Sequence, residues 1–423
     1  MARLEARRWE GDESGLTRRD RRPCDYEVYV PDPLGGRRFV LDGDVAADVA
    51  DAEAALVRLD AAAGALADTE ALARLLLRAE AVASSRIEGL EVGGRRLLRA
   101  QVARQLGEEP RDVTAVEVLG NIEAMAWAVE AVTAGGAISE RIVIEAHRRL
   151  VAGTRLSEHS GRLRTVQNWI GGSSYNPCSA AFVPPPHELV GGLLSDLAEF
   201  CNDDSLPAVA QAAIAHAQFE TIHPFVDGNG RTGRALIHLV LRRRGLAPRI
   251  LPPISLILAT WPRDYVGGLT GTRYRGAPDS EEAHAGVNRW IALFAGACRR
   301  AAGDAGRFQE QVRALQDSWR QRLGAVRRGS AADLLLRALP GTPWLTANTG
   351  SGLIERSFQA TSLAIERFVE AGVLKQVTVG RRNRAFEAPE VIEAFTALER
   401  QLTSPGGDTL GSERVSRVPL RRR

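Results

Sequence analysis

Lysine, cysteine and long apolar stretches are all scarce in this chain of 423 residues. Lys375 is the only lysine among 55 basic residues, which we attribute to GC-rich coding rather than to function. No stretch approaches the ~18 consecutive apolar residues of a membrane span, so we expect no membrane insertion. With 44% hydrophobic and 25% charged residues, the composition is typical of a globular protein of two or three domains. A net charge of +3 is too small to indicate nucleic acid by itself.

The few cysteines also exclude two kinds of site. Cys24, Cys178, Cys201 and Cys298 lie far apart, and no two of them form a Cys-x-x-Cys pair. This spacing argues against a zinc site or a dithiol redox motif. Since the N-terminus carries no apolar leader, we expect a cytoplasmic protein with reduced thiols.

Chemically useful residues are concentrated in residues 223–234, with the sequence HPFVDGNGRTGR. His223 offers a base, and Asp227 offers a carboxylate that can hold a cation. Arg231 and Arg234 place two positive charges three residues apart, and the Gly-Asn-Gly turn presents backbone N–H groups to phosphates. This set of groups indicates phosphoryl or nucleotidyl transfer.

Two helices are predicted on either side of this segment. Residues 207–222 begin with proline, which suits a first helical position, and residues 231–244 carry an apolar face before Gly245. The turn then lies at a helix N-terminus, where free N–H groups and the helix dipole attract an anion. The alternative is a capped helix start with solvated arginines, but a cap needs neither two glycines nor the His-x-x-x-Asp spacing.

The segment resembles the signature of the Fic (Fic/DOC) family, His-x-Phe-x-Asp/Glu-Gly-Asn-Gly-Arg-x-x-Arg, at every fixed position. Most members are protein adenylyltransferases, which move AMP from ATP to a hydroxyl of a target protein. The resemblance implies a mainly α fold with a β-hairpin flap. It also implies that His223 is the catalytic base, that Asp227 binds Mg²⁺, and that ATP is the co-substrate. The nucleotide-binding residues that it implies are Gly228, Asn229, Gly230, Arg231, Thr232, Gly233, Arg234 and Tyr265; for Tyr265, core packing stays an alternative.

A second stretch resembles the family's flap, which holds an extended piece of target protein by strand addition. It runs from Asn168 to Gly172 and continues at residues 181–186, with the sequence AFVPPP. The alternative is a surface loop rich in glycine and proline. The residues that the resemblance assigns to target binding are Trp169, Ile170, Gly171, Gly172 and Phe182.

A third stretch, SSRIEG at residues 84–89, resembles the family's inhibitory motif. It ends a predicted helix that begins at Thr69, and Gly89 suits the helix end. Ser84 and Glu88 are four residues apart and therefore share a helix face. The resemblance implies that Glu88 pairs with Arg234 and occupies the space of the ATP γ-phosphate. Without the resemblance, solvated helix-end residues would explain the same pattern.

The C-terminal part predicts a small module of helices followed by a hairpin with a basic tip, which resembles a winged helix. The hairpin has the sequence VLKQVTV, then GRRNR, then AFE. Arg381, Arg382 and Arg384 could contact DNA phosphates, but the preceding helix carries Glu366 and Glu370 and few basic residues. The module is therefore predicted to bind either DNA or protein, and a homodimer is a further possibility.

The predicted fold class is mainly α, with a Fic-type helical domain and a small winged-helix-like domain. The predicted function is that of a self-inhibited protein adenylyltransferase. One alternative is a DNA-binding regulator. The other is a related enzyme that removes AMP or transfers another phosphate-containing group. The predicted divisions are a flexible basic tail (1–24), a helical segment with the inhibitory motif (25–110), a catalytic domain (111–300), a helical connector (301–329), the winged-helix-like domain (330–398) and a disordered basic tail (399–423).

Overall fold

The computed structural model describes residues 1–403, apart from residues 12, 14, 65–68, 106 and 380–382. The described part is mainly α, as predicted. The helices are α1 (Arg18–Arg21), α2 (Gly43–Gly64), α3 (Thr69–Ile87), α4 (Gly94–Gln105), α5 (Val113–Ala131), α6 (Glu140–Val151), α7 (His187–Phe200), α8 (Ala208–Ile222), α9 (Asn229–Arg243), α10 (Ile254–Thr260), α11 (Pro262–Gly271), α12 (Glu281–Leu323), α13 (Ala331–Ala338), α14 (Ala347–Ile354), α15 (Phe358–Glu370) and α16 (Pro389–Thr403). The strands are β1 (Arg3–Trp9), β2 (Cys24–Val30), β3 (Trp344–Leu345), β4 (Lys375–Val379) and β5 (Asn383–Glu387).

Helix α8 lies at the centre of the catalytic region. All 15 of its residues are buried, and six of them are alanines, so neighbouring helices approach it from every side. It packs against α9, α12 and α7, and the fully buried Trp290 of α12 donates its indole N–H to the Ala213 carbonyl at 2.7 Å. Because α8 ends at the segment that begins with His223, this core fixes where that segment starts.

The prediction of a flexible tail for residues 1–24 is wrong for the part of the chain that forms β1. Strand β1 pairs with β2 in antiparallel register, from Arg3 opposite Val30 to Trp9 opposite Cys24. Its arginines are mostly exposed on a two-stranded ribbon, so the sequence has the composition of a tail although the backbone is paired. Tyr29 also donates its backbone N–H to the Val183 carbonyl at 2.9 Å, which attaches this ribbon to the end of the predicted flap.

The predicted connector of residues 301–329 is not a separate element. Helix α12 runs without interruption for 43 residues from Glu281, so most of the connector continues a helix that begins inside the catalytic region. Ser280 caps its start by accepting from the Ala283 N–H, and Gly324 ends it with a φ of +67°.

The C-terminal module contains α13, β3, α14, α15, β4 and β5 in that order, followed by α16. Its three strands form an antiparallel sheet in the order β3-β5-β4. The predicted helices and hairpin strands are present, although α16 continues to Thr403, past the predicted start of the C-terminal tail at residue 399. Arg381, Arg382 and residues 404–423 lie outside the described residues.

The exposed face of α15 is apolar and acidic. Phe358, Leu363 and Val369 are 56%, 61% and 37% exposed, and Glu366 and Glu370 are also exposed. The helix has one basic residue, Arg367, whose guanidinium donates to the backbone carbonyls of Leu323 and Ala325. This face does not suit a helix that reads nucleic acid, because it offers no cation to the phosphates.

No helix in the part of the chain that the structure describes is both long enough and apolar enough to cross a membrane.

The crossing of α11 and α12 supplies a test of the packing. A Cβ added at Gly286 would lie 1.9 Å from the Gly271 carbonyl oxygen, so Gly286→Ala must push two backbones apart. We expect a loss of about 2 kcal/mol or more in the free energy of unfolding, measured by urea denaturation. Gly296→Ala on the same helix is the control: a Cβ there meets nothing within 4 Å, and it should stabilise the protein by about 0.4–1 kcal/mol. Equal stabilities of the two variants would contradict this packing.

Candidate active site

The segment 223–234 forms a turn between two buried helices, close to the prediction. Helix α8 ends at His223, which adopts a left-handed conformation with φ +49°, and α9 begins at Asn229, two residues earlier than predicted. Gly228 precedes α9 with φ +79°, a value that favours glycine. The free N–H groups of α9 therefore start at the Gly-Asn-Gly turn, as an anion site requires.

Burial and three hydrogen bonds hold His223 in its strained backbone conformation. Arg164 is 3% exposed, and its Nε donates to the His223 carbonyl at 2.9 Å. The ring Nδ1 lies 2.9 Å from Nδ2 of Asn168 and 3.1 Å from Nδ2 of Asn229. Burial, and next the charge of Arg164, lower the pKa of His223 to about 3, so the imidazole is neutral at physiological pH. Sequence reasoning missed Arg164, which lies 59 residues from His223.

Asp227 is the predicted metal ligand, and its binding of Mg²⁺ stays a prediction. Its side chain is 47% exposed, and one oxygen lies 3.9 Å from Arg231 Nη2. No group of three or more His, Cys, Asp or Glu side chains suited to a metal ion occurs in the described part of the chain. One exposed carboxylate nevertheless fits Mg²⁺, since this ion is usually held by one or two carboxylates together with substrate phosphates and water.

His147 is a further residue of the site that the sequence did not reveal. Its ring stacks on Phe225 with centroids 3.7 Å apart, and it accepts a hydrogen bond from the Gly161 N–H at Nδ1 (3.2 Å). Nε2 therefore carries the hydrogen and donates to the Asp227 carbonyl at 3.0 Å. Burial lowers the pKa of His147 to about 4, so it acts as a neutral support beneath the Asp227 backbone.

Arg234 and Glu88 form the ion pair that the inhibitory motif implies. Arg234 is 1% exposed, and its Nη2 donates to Glu88 Oε1 at 2.6 Å. Ser84 accepts from the same guanidinium twice, through its hydroxyl and its carbonyl, both at 2.8 Å. Burial raises the pKa of Glu88, but the charge of Arg234 and their hydrogen bond lower it further, so the net pKa falls below its ordinary value. Ser84, Glu88 and Arg234 are thus brought together.

The Glu88 carboxylate also lies at the start of α9. A Cβ added at Gly230 would be 2.0 Å from Glu88 Oε1, so only a residue without a side chain allows this approach. Glu88 is therefore an anion at the helix N-terminus where the sequence predicts phosphate binding.

The remaining residues assigned to the nucleotide line the first turns of α9. The side chains of Asn229, Arg231 and Thr232 are buried, and neither Arg231 Nε nor Thr232 Oγ1 has a hydrogen-bond partner in the described part of the protein. Gly233 has no room for a side chain, because a Cβ would lie 2.7 Å from Glu220 Oε1. Asn229 holds the turn together by bonding both the N–H and the carbonyl of Phe225 at 2.8 Å.

Tyr265 lies in the core. It is 4% exposed, and its hydroxyl contacts His216 Nε2 at 2.8 Å and Arg234 Nη1 at 3.4 Å. Its ring packs near Trp290, with centroids 6.0 Å apart. Packing therefore accounts for Tyr265 in this structure, and its contact with the adenine stays a prediction.

The flap stretch is a loop with one antiparallel bridge, between Ile170 and Phe182, rather than a full hairpin. Gly171 and Gly172 follow Ile170 with φ values of +73° and +75°, which turn the chain. Trp169 packs edge-on against Trp9 of β1, with centroids 5.8 Å apart. The five flap residues thus lie together beside the N-terminal ribbon, and target binding by them stays a prediction.

The expectation of reduced thiols is wrong for two of the cysteines. Cys24 and Cys178 form a disulfide across 154 residues, whereas Cys201 and Cys298 are free and buried. The bond forms because β2 packs beside the turn of residues 177–179, which brings the two Cα atoms within 5.9 Å. Their separation in sequence hides this proximity.

Glu220 supplies a test of the site's electrostatics. Burial raises its pKa from 4.5 to about 7, so the folded protein holds a proton that the unfolded chain releases near pH 4.5. The stability associated with this proton is present below pH 4.5 and is lost as the pH rises through 7. We therefore expect Glu220→Gln to be neutral at low pH and stabilising by about 2–3 kcal/mol at pH 8, measured by urea unfolding. The exposed Glu158→Gln is the control, and a pH-independent difference for Glu220→Gln would contradict the assignment.

Comparison with known proteins agrees with this geometry. Residues 137–241 match the sequence profile of the Fic/DOC family, and residues 46–130 match that of the Fic/DOC family N-terminal region. The chain is 39% identical over 113 residues to protein adenylyltransferase fic-1 of Caenorhabditis elegans, which is 26% of this chain and 20% of that protein. It is 33% identical over 139 residues to protein adenylyltransferase Fic of Drosophila grimshawi, which is 32% of this chain and 27% of that protein. The matches span about a quarter of the length of these relatives.

The fold has a counterpart of known structure, a Fic family protein from Desulfovibrio desulfuricans. The two chains superpose with a TM-score of 0.50 at 21% identity, over 83% of this chain and 97% of the other. The matched profiles cover α2 to α9 almost completely, and the buried turn of residues 223–234 lies within them. Residues 137–241 are therefore similar to the Fic/DOC family, and residues 46–130 are similar to its N-terminal region.

Proposed function

We propose that this protein is a self-inhibited adenylyltransferase that transfers AMP from ATP to a hydroxyl side chain of a target protein. The observation that carries the proposal is the Glu88 carboxylate at the N-terminus of α9, bonded to the second arginine of a complete Fic signature. The relatives named protein adenylyltransferase support the reaction. Removal of AMP, or transfer of another phosphate-containing group, uses the same fold but is not favoured by those relatives.

The ATP phosphates would lie over the start of α9. The N–H groups of Asn229 and Gly230 belong to the first two residues of α9, whereas the Gly228 N–H donates to Asp227 Oδ1 at 2.5 Å. Arg231 follows them, and its Nε has no hydrogen-bond partner among the described residues. Arg234 is positioned to receive the γ-phosphate in place of Glu88. Asp227 would hold Mg²⁺, which when bound neutralises charge on the phosphates.

His223 would take the proton of the target hydroxyl at Nε2, which makes no hydrogen bond to any described residue. Its low pKa keeps the ring neutral, as a base requires. Nε2 can accept a proton only if Nδ1 carries the hydrogen. In the structure the amide nitrogens of Asn168 and Asn229 both face Nδ1, so both amides would have to move away from Nδ1 for this tautomer to form.

The target oxygen bonds to the α-phosphorus while the bond from that phosphorus to the bridging oxygen breaks. Pyrophosphate leaves with the bond electrons, and the hydroxyl proton ends on His223. Arg231 stabilises the charge that develops on the phosphates, since the guanidinium is fixed before the reaction starts. The flap residues Trp169 to Gly172 and Phe182 would align the target beside His223.

Partners beyond ATP and the target are proposed for the C-terminal module. A protein or a second copy of the chain suits the apolar and acidic face of α15 better than DNA does. A cytoplasmic location is proposed as well, and the Cys24–Cys178 bond would then depend on the local redox state, because reducing compartments disfavour disulfides.

The first test concerns the ion pair. Glu88→Gly should free Arg234 and raise self-labelling from α-labelled ATP tenfold or more, which corresponds to ~1.4 kcal/mol of barrier. The double variant with Arg234→Ala should lose the gain, because the released arginine is its source. A folded, ATP-binding Glu88→Gly protein that labels no faster than wild type would contradict self-inhibition.

The same assay tests the reaction itself. His223→Ala in the Glu88→Gly background should retain ATP binding and lose ~10²–10⁴-fold in transfer, the usual contribution of a general base. Label from the α-phosphate should enter protein, and label from the γ-phosphate should not. If label from the γ-phosphate entered protein, the reaction would be phosphorylation and not adenylylation.

DNA binding by the C-terminal module is tested by mobility shift at low salt. From the face of α15 we expect no shift by the full chain. The opposite result would be a shift by the full chain that becomes weaker for all DNA sequences in the Arg381→Ala, Arg382→Ala variant. If the slope of log affinity against log salt concentration also fell by about one unit per contact, phosphate contacts would be established.

A further inference from the structure

A second buried polar cluster joins the helix of the inhibitory motif to the helix of the signature. Glu80 on α3 is fully buried, and its Oε1 lies 2.9 Å from Nε2 of His238 on α9. Ser255 of α10 donates to the same carboxylate through its N–H, at 2.7 Å to Oε2, and through its hydroxyl to Oε1. These three residues, the Glu80 cluster, are not used by the proposed reaction.

The cluster continues the contacts of the inhibitory motif along the same two helices. Glu80 and Ser84 on α3, and Glu88 directly after its last residue, are spaced by four residues and so lie on one side of the helix. They meet His238, Arg234 and Gly230, which are spaced by four residues in the opposite direction on α9. The two helices are therefore antiparallel here, and one continuous polar seam runs from the Glu80 cluster to the active site.

The position of Glu80 along α9 determines whether Glu88 reaches Arg234. A shift of α3 by one residue moves its side chains by about 1.5 Å along the axis and turns them by about 100°. Such a shift breaks a contact of 2.6 Å between Glu88 and Arg234. A buried carboxylate with three donors resists the shift, because any displacement leaves charged or polar groups buried without partners.

Other contacts of α3 constrain its position along α9 less strongly. Asn121 of α5 bonds the Ala81 carbonyl at 2.7 Å and the Ser85 hydroxyl at 3.1 Å on a neighbouring face. The rest of the buried surface is largely alanine and leucine, such as Leu75, Leu76 and Ala79, which pack without directional bonds. Among the hydrogen bonds of the described residues, the Glu80 cluster is a directional contact between α3 and α9 that lies outside the motif itself.

We propose that Glu80, His238 and Ser255 are positioning residues that hold the inhibitory helix in the register required for Glu88 to block the active site. The inference rests on the proposed function and deepens it, because it assigns the strength of inhibition to a site away from the reacting atoms. Weakening the cluster should let α3 move, so that Glu88 leaves Arg234 more often. The expected consequence is activation by a change that touches neither ATP nor target.

The test uses the full chain with Glu80→Gln and, separately, Ser255→Ala. A glutamine keeps the volume, but its single oxygen cannot accept from all three donors. Each variant is made in the wild-type and in the Glu88→Gly background. Two quantities are measured: self-labelling from α-labelled ATP, and hydrogen–deuterium exchange of the amides of residues 81–88. Asp304→Asn is the control, because Asp304 is buried and pairs with Arg300 and Arg307 on its own helix α12.

We expect both variants to raise self-labelling on the order of fivefold in the wild-type background and to leave it within twofold in the Glu88→Gly background. Exchange of residues 81–88 should become faster in the variants and stay unchanged in Asp304→Asn. A general loss of stability would behave differently, because it would lower labelling in both backgrounds.

Two results would overturn the inference. In the first, the folded variants label themselves and exchange amide hydrogens at the same rates as the wild type. In the second, the variants change labelling equally in the wild-type and Glu88→Gly backgrounds. Failure of the proposed function is recognised separately, since Glu88→Gly itself would then incorporate no label. In that event the exchange measurement still decides, because faster exchange at residues 81–88 supports the positioning role and unchanged exchange refutes it.

Discussion

The burial of the Arg234 guanidinium is the constraint on which the rest of the site depends. A cation that is 1% exposed needs an anion and hydrogen-bond acceptors within reach, and α3 supplies them through Glu88 and Ser84. Burial alone would lower the pKa of Arg234, but the Glu88 charge raises it above its ordinary value, so the arginine stays charged. Helix α3 therefore has to lie against the start of α9 whenever no other anion is present.

The same constraint explains why the surrounding scaffold is so closely packed. Helix α8 is buried on all sides, and the turn after it is braced from beneath by Arg164 and His147. Because the donors of α9 and the imidazole of His223 are fixed by this packing, they need little rearrangement when a phosphate arrives. In the proposed reaction this preorganisation is the main source of rate enhancement, since fixed dipoles stabilise developing charge without reorienting.

Contacts between residues that are close in sequence could be predicted, whereas contacts between residues far apart in sequence could not. The turn of residues 223–234 and the Ser84–Glu88 pair are contiguous, so spacing and resemblance were sufficient to place them. Arg164 and the Cys24–Cys178 bond join segments 59 and 154 residues apart, and nothing local marks either of them. Strand β1 was missed because its exposed arginines give a paired strand the composition of a tail. For Tyr265 the sequence left both core packing and contact with the adenine open, and the structure shows its ring beside His216 and Trp290.

In the proposed function, the inhibited arrangement and the arrangement that binds ATP productively differ in the anion that pairs with Arg234. Glu88 is 37% exposed, whereas Glu80 on the same helix is fully buried. In the proposed function, the carboxylate at the active-site end of α3 can therefore be replaced by a phosphate, while Glu80 in the middle of the helix cannot leave its place without leaving polar groups buried. In the proposed mechanism, inhibition would therefore not have to be released by unfolding α3. A small displacement at its exposed end would be sufficient, and the buried contacts two turns away would limit its extent. Different residues would then set the free energy of inhibition and the catalytic geometry.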